Sequence, residues 1–183
     1  LLHQLWERED VLTTRYDFVE VTLNGAPLGI YAYEEHFEKQ LVEYRERREG
    51  PILKLAEDGF WQGVERQLQH YGFVREGAGH SAMESETARI EPFDEDDVAA
   101  SEALRPQFER AQSLLQQYRT GQADPADVFD LERLAAYFAA CDVLNGYHGI
   151  VWHNQRFYYN PVTDRLEPIG FDGYGGPPPV QYT

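Results

Sequence analysis

Apolar and polar residues alternate from Tyr16 to Leu23, with Phe18, Glu20 and Thr22 on one face and Val19, Val21 and Leu23 on the other. That is the period of a β-strand. Asn24-Gly25 follows as a turn pair, and Leu28 to Tyr33 supplies the return strand with Pro27 at its start, so the segment reads as a β-hairpin. The period then lengthens. Phe37, Leu41 and Tyr44 recur at helical spacing within Glu34 to Arg48, with acids early, arginines late and Gly50-Pro51 as the stop. Ile52-Leu53-Lys54-Leu55 is a short apolar strand broken by one lysine, which either snorkels to solvent or points into a cleft as a phosphate ligand.

Gly59 to Gly79 has no single period; Trp61, Tyr71 and Phe73 mark it as a segment that packs, and Gly77-Ala78-Gly79 as a flexible loop. From about Asp96 to Arg119 the pattern predicts a helix carrying Leu104, Phe108, Ala111, Leu115 and Tyr118, with Pro106 marking a kink or a new first turn. Asp130 reads as the N-cap of a helix over Leu131 to Leu144 that Asn145-Gly146 closes. Extending its stripe of Leu131, Leu134, Ala135 and Phe138 lands on Asp142. A carboxylate on a buried stripe requires a partner, so Asp142 either holds the next loop through backbone N–H groups or serves as a base.

The last patterned stretch is a second hairpin. Gln155 to Tyr159 is aromatic-rich, Asn160 to Asp164 has turn chemistry, and Arg165 to Phe171 returns, with Pro168 pointing to an edge position or a bulge. Asn154 precedes the first strand and Asp172 follows the second. Two oxygen-bearing groups at a hairpin base suit a hard cation such as Mg²⁺, although an ordinary surface hairpin with capping Asn and Asp has the same pattern.

Composition narrows the chemistry. With 32 acidic and 16 basic residues the formal charge is −16, which repels nucleic acid and anionic membranes. Seven carboxylates against one Arg lie between Glu84 and Asp97, a solvated loop or a dock for a basic partner. The single cysteine, Cys141, excludes an internal disulfide framework and reads as a small buried hydrophobe, and the histidines lack zinc-motif spacing. No stretch resembles a signal peptide or a membrane span. A start at Leu1 without Met and a Gly/Pro-rich end read as one domain over 1–183 excerpted from a longer protein.

The order of these parts resembles the spore coat protein H (CotH) kinase-like family, atypical protein kinases. The resemblance is carried by Val19 to Gly25, Leu28-Gly29-Ile30-Tyr31 leading into Glu34-Glu35, Gly50 to Lys54, the helix before Asn145, and the hairpin ending in Phe171-Asp172. It implies an α+β, reduced protein-kinase-like fold: a nucleotide-clamping lobe over 1–80, and a helical lobe over 81–183 with a metal-site hairpin. It also implies ATP, Mg²⁺ or Mn²⁺, and a protein substrate with a Ser or Thr acceptor. On this match Lys54 is the phosphate lysine, Glu35 (or Glu34 beside it) orients that lysine, and Asn154 and Asp172 hold metal. Arg156 touches phosphate or pairs with a surface acid.

The departure is at the catalytic base. In the general kinase pattern an Asp precedes the metal Asn by five residues. Here His148 precedes Asn154 by six, where an Asp is expected. A neutral imidazole accepts a hydroxyl proton at pH 7, so His148 is the candidate base and Asp142 the fallback; a turn-shaping loop histidine is the plainer reading. Two further classes stay open: a pseudokinase that binds nucleotide without transfer, and a surface or coat interaction domain that uses the aromatic hairpin and the acidic loop.

Overall fold

The computed structural model describes residues 1–74 and 82–173, residues 82–84 in backbone only. The loop expected at Gly77–Gly79 and the run after Gly173 lie outside the described residues. Element order is α1 (Leu2–Arg8), β1 (Leu12–Thr13), β2 (Tyr16–Leu23), β3 (Ala26–Glu34), α2 (Lys39–Tyr44), β4 (Ile52–Leu55) and α3 (Asp58–Tyr71). There follow α4 (Ala82–Thr87), β5 (Ile90–Pro92), α5 (Glu95–Ala100), α6 (Leu104–Arg119), α7 (Pro125–Val128) and α8 (Leu131–Leu144). Two 3-10 turns, Tyr147–Ile150 and Trp152–Asn154, lead into β6 (Arg156–Asn160) and β7 (Arg165–Gly170).

The fold is α+β with a mixed sheet, in the order β1-β7-β6-β4-β5; β1 joins β7 in parallel and the remaining pairs are antiparallel. Strand alternation assigns the faces. Leu53, Leu55, Phe157, Tyr159 and Leu166 point to one side and pack with Ala111, Leu114 and Leu115 of α6. Ile52, Tyr158 and Ile169 point to the other and pack with Phe37, Leu41 and Val42 around α2. Leu53 is wholly buried, which stabilises the fold by about 1.5–3 kcal/mol relative to an exposed leucine. Lys54 and Arg156 lie on the α2 face, because they are two residues from Ile52 and Tyr158.

A third cluster covers the β1 edge, where Leu2 and Trp6 of α1 meet Tyr137, Ala140 and Cys141 of α8. Cys141 has no exposure, and burial pushes its thiol up to about 12, so it behaves as a hydrophobe. Glu167 of β7, also wholly buried, is matched by Arg47 at 3.1 Å, Arg133 at 3.5 Å and Asn160 at 2.6 Å. Unpaired, that carboxylate would cost several kcal/mol.

Several expectations need correction. The helix expected over Glu34 to Arg48 is confined to Lys39–Tyr44, since Tyr33 and Glu34 still pair with Asp17 and Tyr16 and Glu46 takes a positive φ of 56°. Val42 is buried in place of Tyr44, which is exposed. The helix expected from Asp96 breaks at the extended Ser101, whose hydroxyl accepts from the Leu104 N–H, and Pro106 falls in the first turn of α6. Gly59 onward is helical as far as Tyr71, although none of α3 is buried. The buried face of α8 is Tyr137, Ala140 and Cys141, so Asp142 is exposed and needs no buried partner. Pro168 sits where β7 lacks an outer neighbour, between the Phe129 bridge at Leu166 and the β1 pairing at Ile169.

The β2–β3 hairpin forms as the alternation predicts, but as a separate ribbon with both faces open; Phe18 and Ile30 on one face are 64% and 71% exposed, Val19 and Tyr31 on the other 44% and 49%. Its base is tied to the body: Thr14 donates to Glu34, and the Glu35 N–H donates to the Arg15 carbonyl.

Candidate active site

Two chain reversals bring distant residues to the base of the β6–β7 hairpin. Asn145 ends α8 in the left-handed conformation, and the following 3-10 turn carries His148. Asn154 closes the second 3-10 turn, just before β6. On the return side, Arg156 pairs with Ile169, so β7 delivers Phe171 and Asp172 beside Asn154. Asp172 adopts a positive φ of 47°, a conformation few non-glycine residues take and one that needs support from its surroundings.

Asn154 is the buried hub. Its Nδ2 donates to the His148 carbonyl at 3.0 Å and to Asp172 Oδ2 at 3.1 Å, which uses both of its hydrogens. His148 Nδ1 lies 3.0 Å from Asp172 Oδ2, 3.3 Å from the Asp172 carbonyl and 3.1 Å from Asn154 Nδ2, so the contacts admit either neutral tautomer. The tautomer that donates from Nδ1 to Asp172 is the one that leaves Nε2 as acceptor, the form required of a base. The His148 and Asp172 side chains are half exposed, which leaves them open to a substrate.

Beside this cluster are two cations. Lys54 and Arg156 are direct partners across the β4–β6 ladder, and the Lys54 ammonium sits 5.4 Å from the centre of the Phe93 ring. Arg156 is buried, with its guanidinium 5.8–5.9 Å from the rings of Phe37, Phe93 and Phe171. It donates to Glu57 at 2.9 Å and to the His153 carbonyl at 2.6 Å, while its Nε has no partner among the described residues. Burial lowers its pKa, and the Glu57 carboxylate acts in the opposite direction.

Of the residues expected at the site, His148, Asn154 and Asp172 meet directly, and Lys54 and Arg156 share a sheet face next to them. Glu35 is bonded elsewhere: its Oε1 accepts from Arg15 Nε at 3.0 Å and Nη2 at 2.6 Å, and its Oε2 from the Arg15 N–H at 3.2 Å. The described bonds of Glu35 thus hold the ribbon base and do not include Lys54. Asp142 has its carbonyl in the α8 cap and makes no described contact with the cluster. Sequence reasoning missed Glu57, Phe93 and Phe171. Phe171 stood next to a candidate ligand, whereas Glu57 and Phe93 carried no local signal.

The donor set matches a hard divalent cation. Mg²⁺ uses one or two protein oxygens and takes its other ligands from water and phosphate. Asp172 supplies a carboxylate, and Asn154 retains Oδ1 outside all the bonds above. Among the described residues no three His, Cys, Asp or Glu side chains gather as a zinc-type cage. No helix among them is long and apolar enough to cross a membrane.

A buried amide bonded to an exposed carboxylate, beside a lysine and an arginine, is an arrangement suited to phosphate and metal. A family model described as CotH kinase protein matches residues 1–173, and the chain belongs to that family. Kinase-like activity, with ATP and a divalent metal, goes with membership in general terms. No curated protein matches the chain.

Proposed function

We propose that this chain transfers the γ-phosphoryl group of ATP to a hydroxyl, that of Ser or Thr in a protein, within a reduced kinase-like architecture. The observation that carries the reading is the meeting of His148, Asn154 and Asp172 at hydrogen-bond distance in a CotH kinase family member. Lys54 holds phosphate oxygens with a compact charge, and Arg156, fixed by Glu57, adds positive field behind it. His148 Nε2 accepts the hydroxyl proton as the oxygen bonds to the γ-phosphorus and the bond to the ADP oxygen breaks. Asp172 and Asn154 Oδ1 would hold Mg²⁺ or Mn²⁺, which neutralises phosphate charge when bound. Positioning supplies most of the acceleration in such a transfer, so an imidazole in place of a carboxylate is compatible with it.

A groove of about 420 Å³ adjoins the site through Phe37 and Phe93 and is rimmed by Glu38, Asp94 and Asp97 and by Glu49, which pairs with Lys39 at 3.1 Å. Asp94 lifts the Asp97 carboxyl above its ordinary value, the mark of crowded negative charge. A basic acceptor segment suits that rim.

One observation favours a nucleotide-binding module without transfer: an imidazole, His148, stands beside Asp172 and Asn154 where a carboxylate base is expected. The open β2–β3 ribbon favours an interaction domain instead. Transfer of label from γ-labelled ATP with Mn²⁺ separates the three. Labelling of the chain or an added acceptor by wild type and not by Asp172→Ala supports the kinase. Thermal stabilisation by nucleotide without label supports the module, and no nucleotide effect at all supports the interaction domain.

A further inference from the structure

α1 touches both arms of the site. A Cβ on Gly170 would lie 2.2 Å from Trp6 Cε3, and one on Gly173 would lie 2.8 Å from Trp6 Cη2, so the indole lies against the backbone on either side of Phe171-Asp172. Trp6 has no exposure and its Nε1 donates to the Tyr137 carbonyl at 3.3 Å. The two rings stack at 5.5 Å and 21°. Tyr137, 3% exposed, in turn donates its hydroxyl to the Gly149 carbonyl at 2.6 Å, next to His148. Burial raises the Tyr137 pKa, so that hydroxyl is a permanent donor. The arms meet at Gly149, where a Cβ would lie 2.9 Å from the Phe171 carbonyl oxygen.

We infer that Tyr137 and Trp6 are positioning residues that fix the separation between the His148 loop and Asp172. This rests on the reading of Asn154 and Asp172 as the metal site. Asp172 adopts a conformation unfavourable for a residue with a Cβ, and such conformations persist only where neighbours over-determine them. The Trp6 ring provides that constraint from the Asp172 side. Tyr137 provides it from the His148 side, and their stacking makes the two constraints one rigid unit. If the Tyr137 hydroxyl is lost, the loop bearing His148 relaxes, and Asn154, which bonds the His148 carbonyl, moves with it.

The test measures Mn²⁺ affinity by electron paramagnetic resonance of free Mn²⁺ on the whole chain. Tyr137→Phe keeps the ring stack and removes only the hydroxyl, so it should weaken Mn²⁺ binding about tenfold, the lower end for residues that orient ligands. Tyr159→Phe is the control, since it deletes another buried hydroxyl, bonded to Asp164 at 2.8 Å at the far end of the hairpin. It should leave Mn²⁺ affinity unchanged. Gly149→Ala pushes the same two arms apart, should also weaken Mn²⁺, and decides the matter if Tyr137→Phe does not fold. Wild-type affinity in a folded Tyr137→Phe or Gly149→Ala, alongside loss in Asp172→Asn, overturns the inference and leaves the metal site standing. Unchanged affinity in Asp172→Asn overturns the metal-site reading, and the inference with it.

Discussion

Lys54 and Arg156 face one another across the β4–β6 ladder, and both set their charged heads against the ring of Phe93. Like charges directly opposite weaken a sheet by a few tenths to about 1 kcal/mol. Glu57 and the aromatic rings offset part of that repulsion, and a bound anion would offset the rest. Lys54→Met should therefore raise the urea midpoint of the ligand-free protein while abolishing stabilisation by ATP and Mn²⁺. A variant with a lower midpoint and an intact nucleotide effect would refute the assignment.

Glu57→Gln removes the countercharge of a buried guanidinium and keeps the shape. Breaking a buried pair from one side costs about 3–5 kcal/mol, and the 27% exposure of the Glu57 side chain reduces that to about 1–3 kcal/mol. Denaturant unfolding measures it.

His148 separates chemistry from binding. His148→Ala should lower the transfer rate by about 10²–10⁴-fold, the usual contribution of a general base. Nucleotide-dependent melting should persist, because Lys54 and Asp172 remain. Equal rates in variant and wild type would make His148 a turn residue.

Arg110 bonds Asp164 at 2.6 and 3.0 Å, and this bonding, with a hydrogen bond from Tyr159, holds the Asp164 carboxyl below its ordinary 3.8. A carboxyl depressed on folding contributes stability above its unfolded value and loses it as pH falls through the folded one. Arg110→Gln should thus be less stable than wild type at neutral pH, and the gap should close as pH falls below about 4. Both side chains are about half exposed, so the gap should not exceed about 1 kcal/mol. Melting temperatures along a pH series measure it.

The parts of the fold that were legible are those fixed by local pattern. Asn24-Gly25 between alternating runs gave the first hairpin, and Asn154 and Asp172 bracket the second because an antiparallel return brings its ends together. The stripe on α8 was misread because the docking of α1 selects Tyr137, Ala140 and Cys141 as the buried face, and Asp142 turns outward as a result. Glu35 shows the same limit: its partner Arg15 is twenty residues away, and nothing near Glu35 marks it. The helix at Leu2–Arg8 had a signal in the spacing of Leu2, Leu5 and Trp6, and its role in holding Gly170 and Gly173 is tertiary.

The most direct measurement is a crystal structure with Mn²⁺ and a non-hydrolysable ATP analogue, with Mn²⁺ located by its anomalous scattering. One peak is expected between the nucleotide phosphates and the Asp172 carboxylate and Asn154 Oδ1, with Lys54 on the phosphates. Nucleotide and metal bound away from the β6–β7 hairpin base would contradict that expectation.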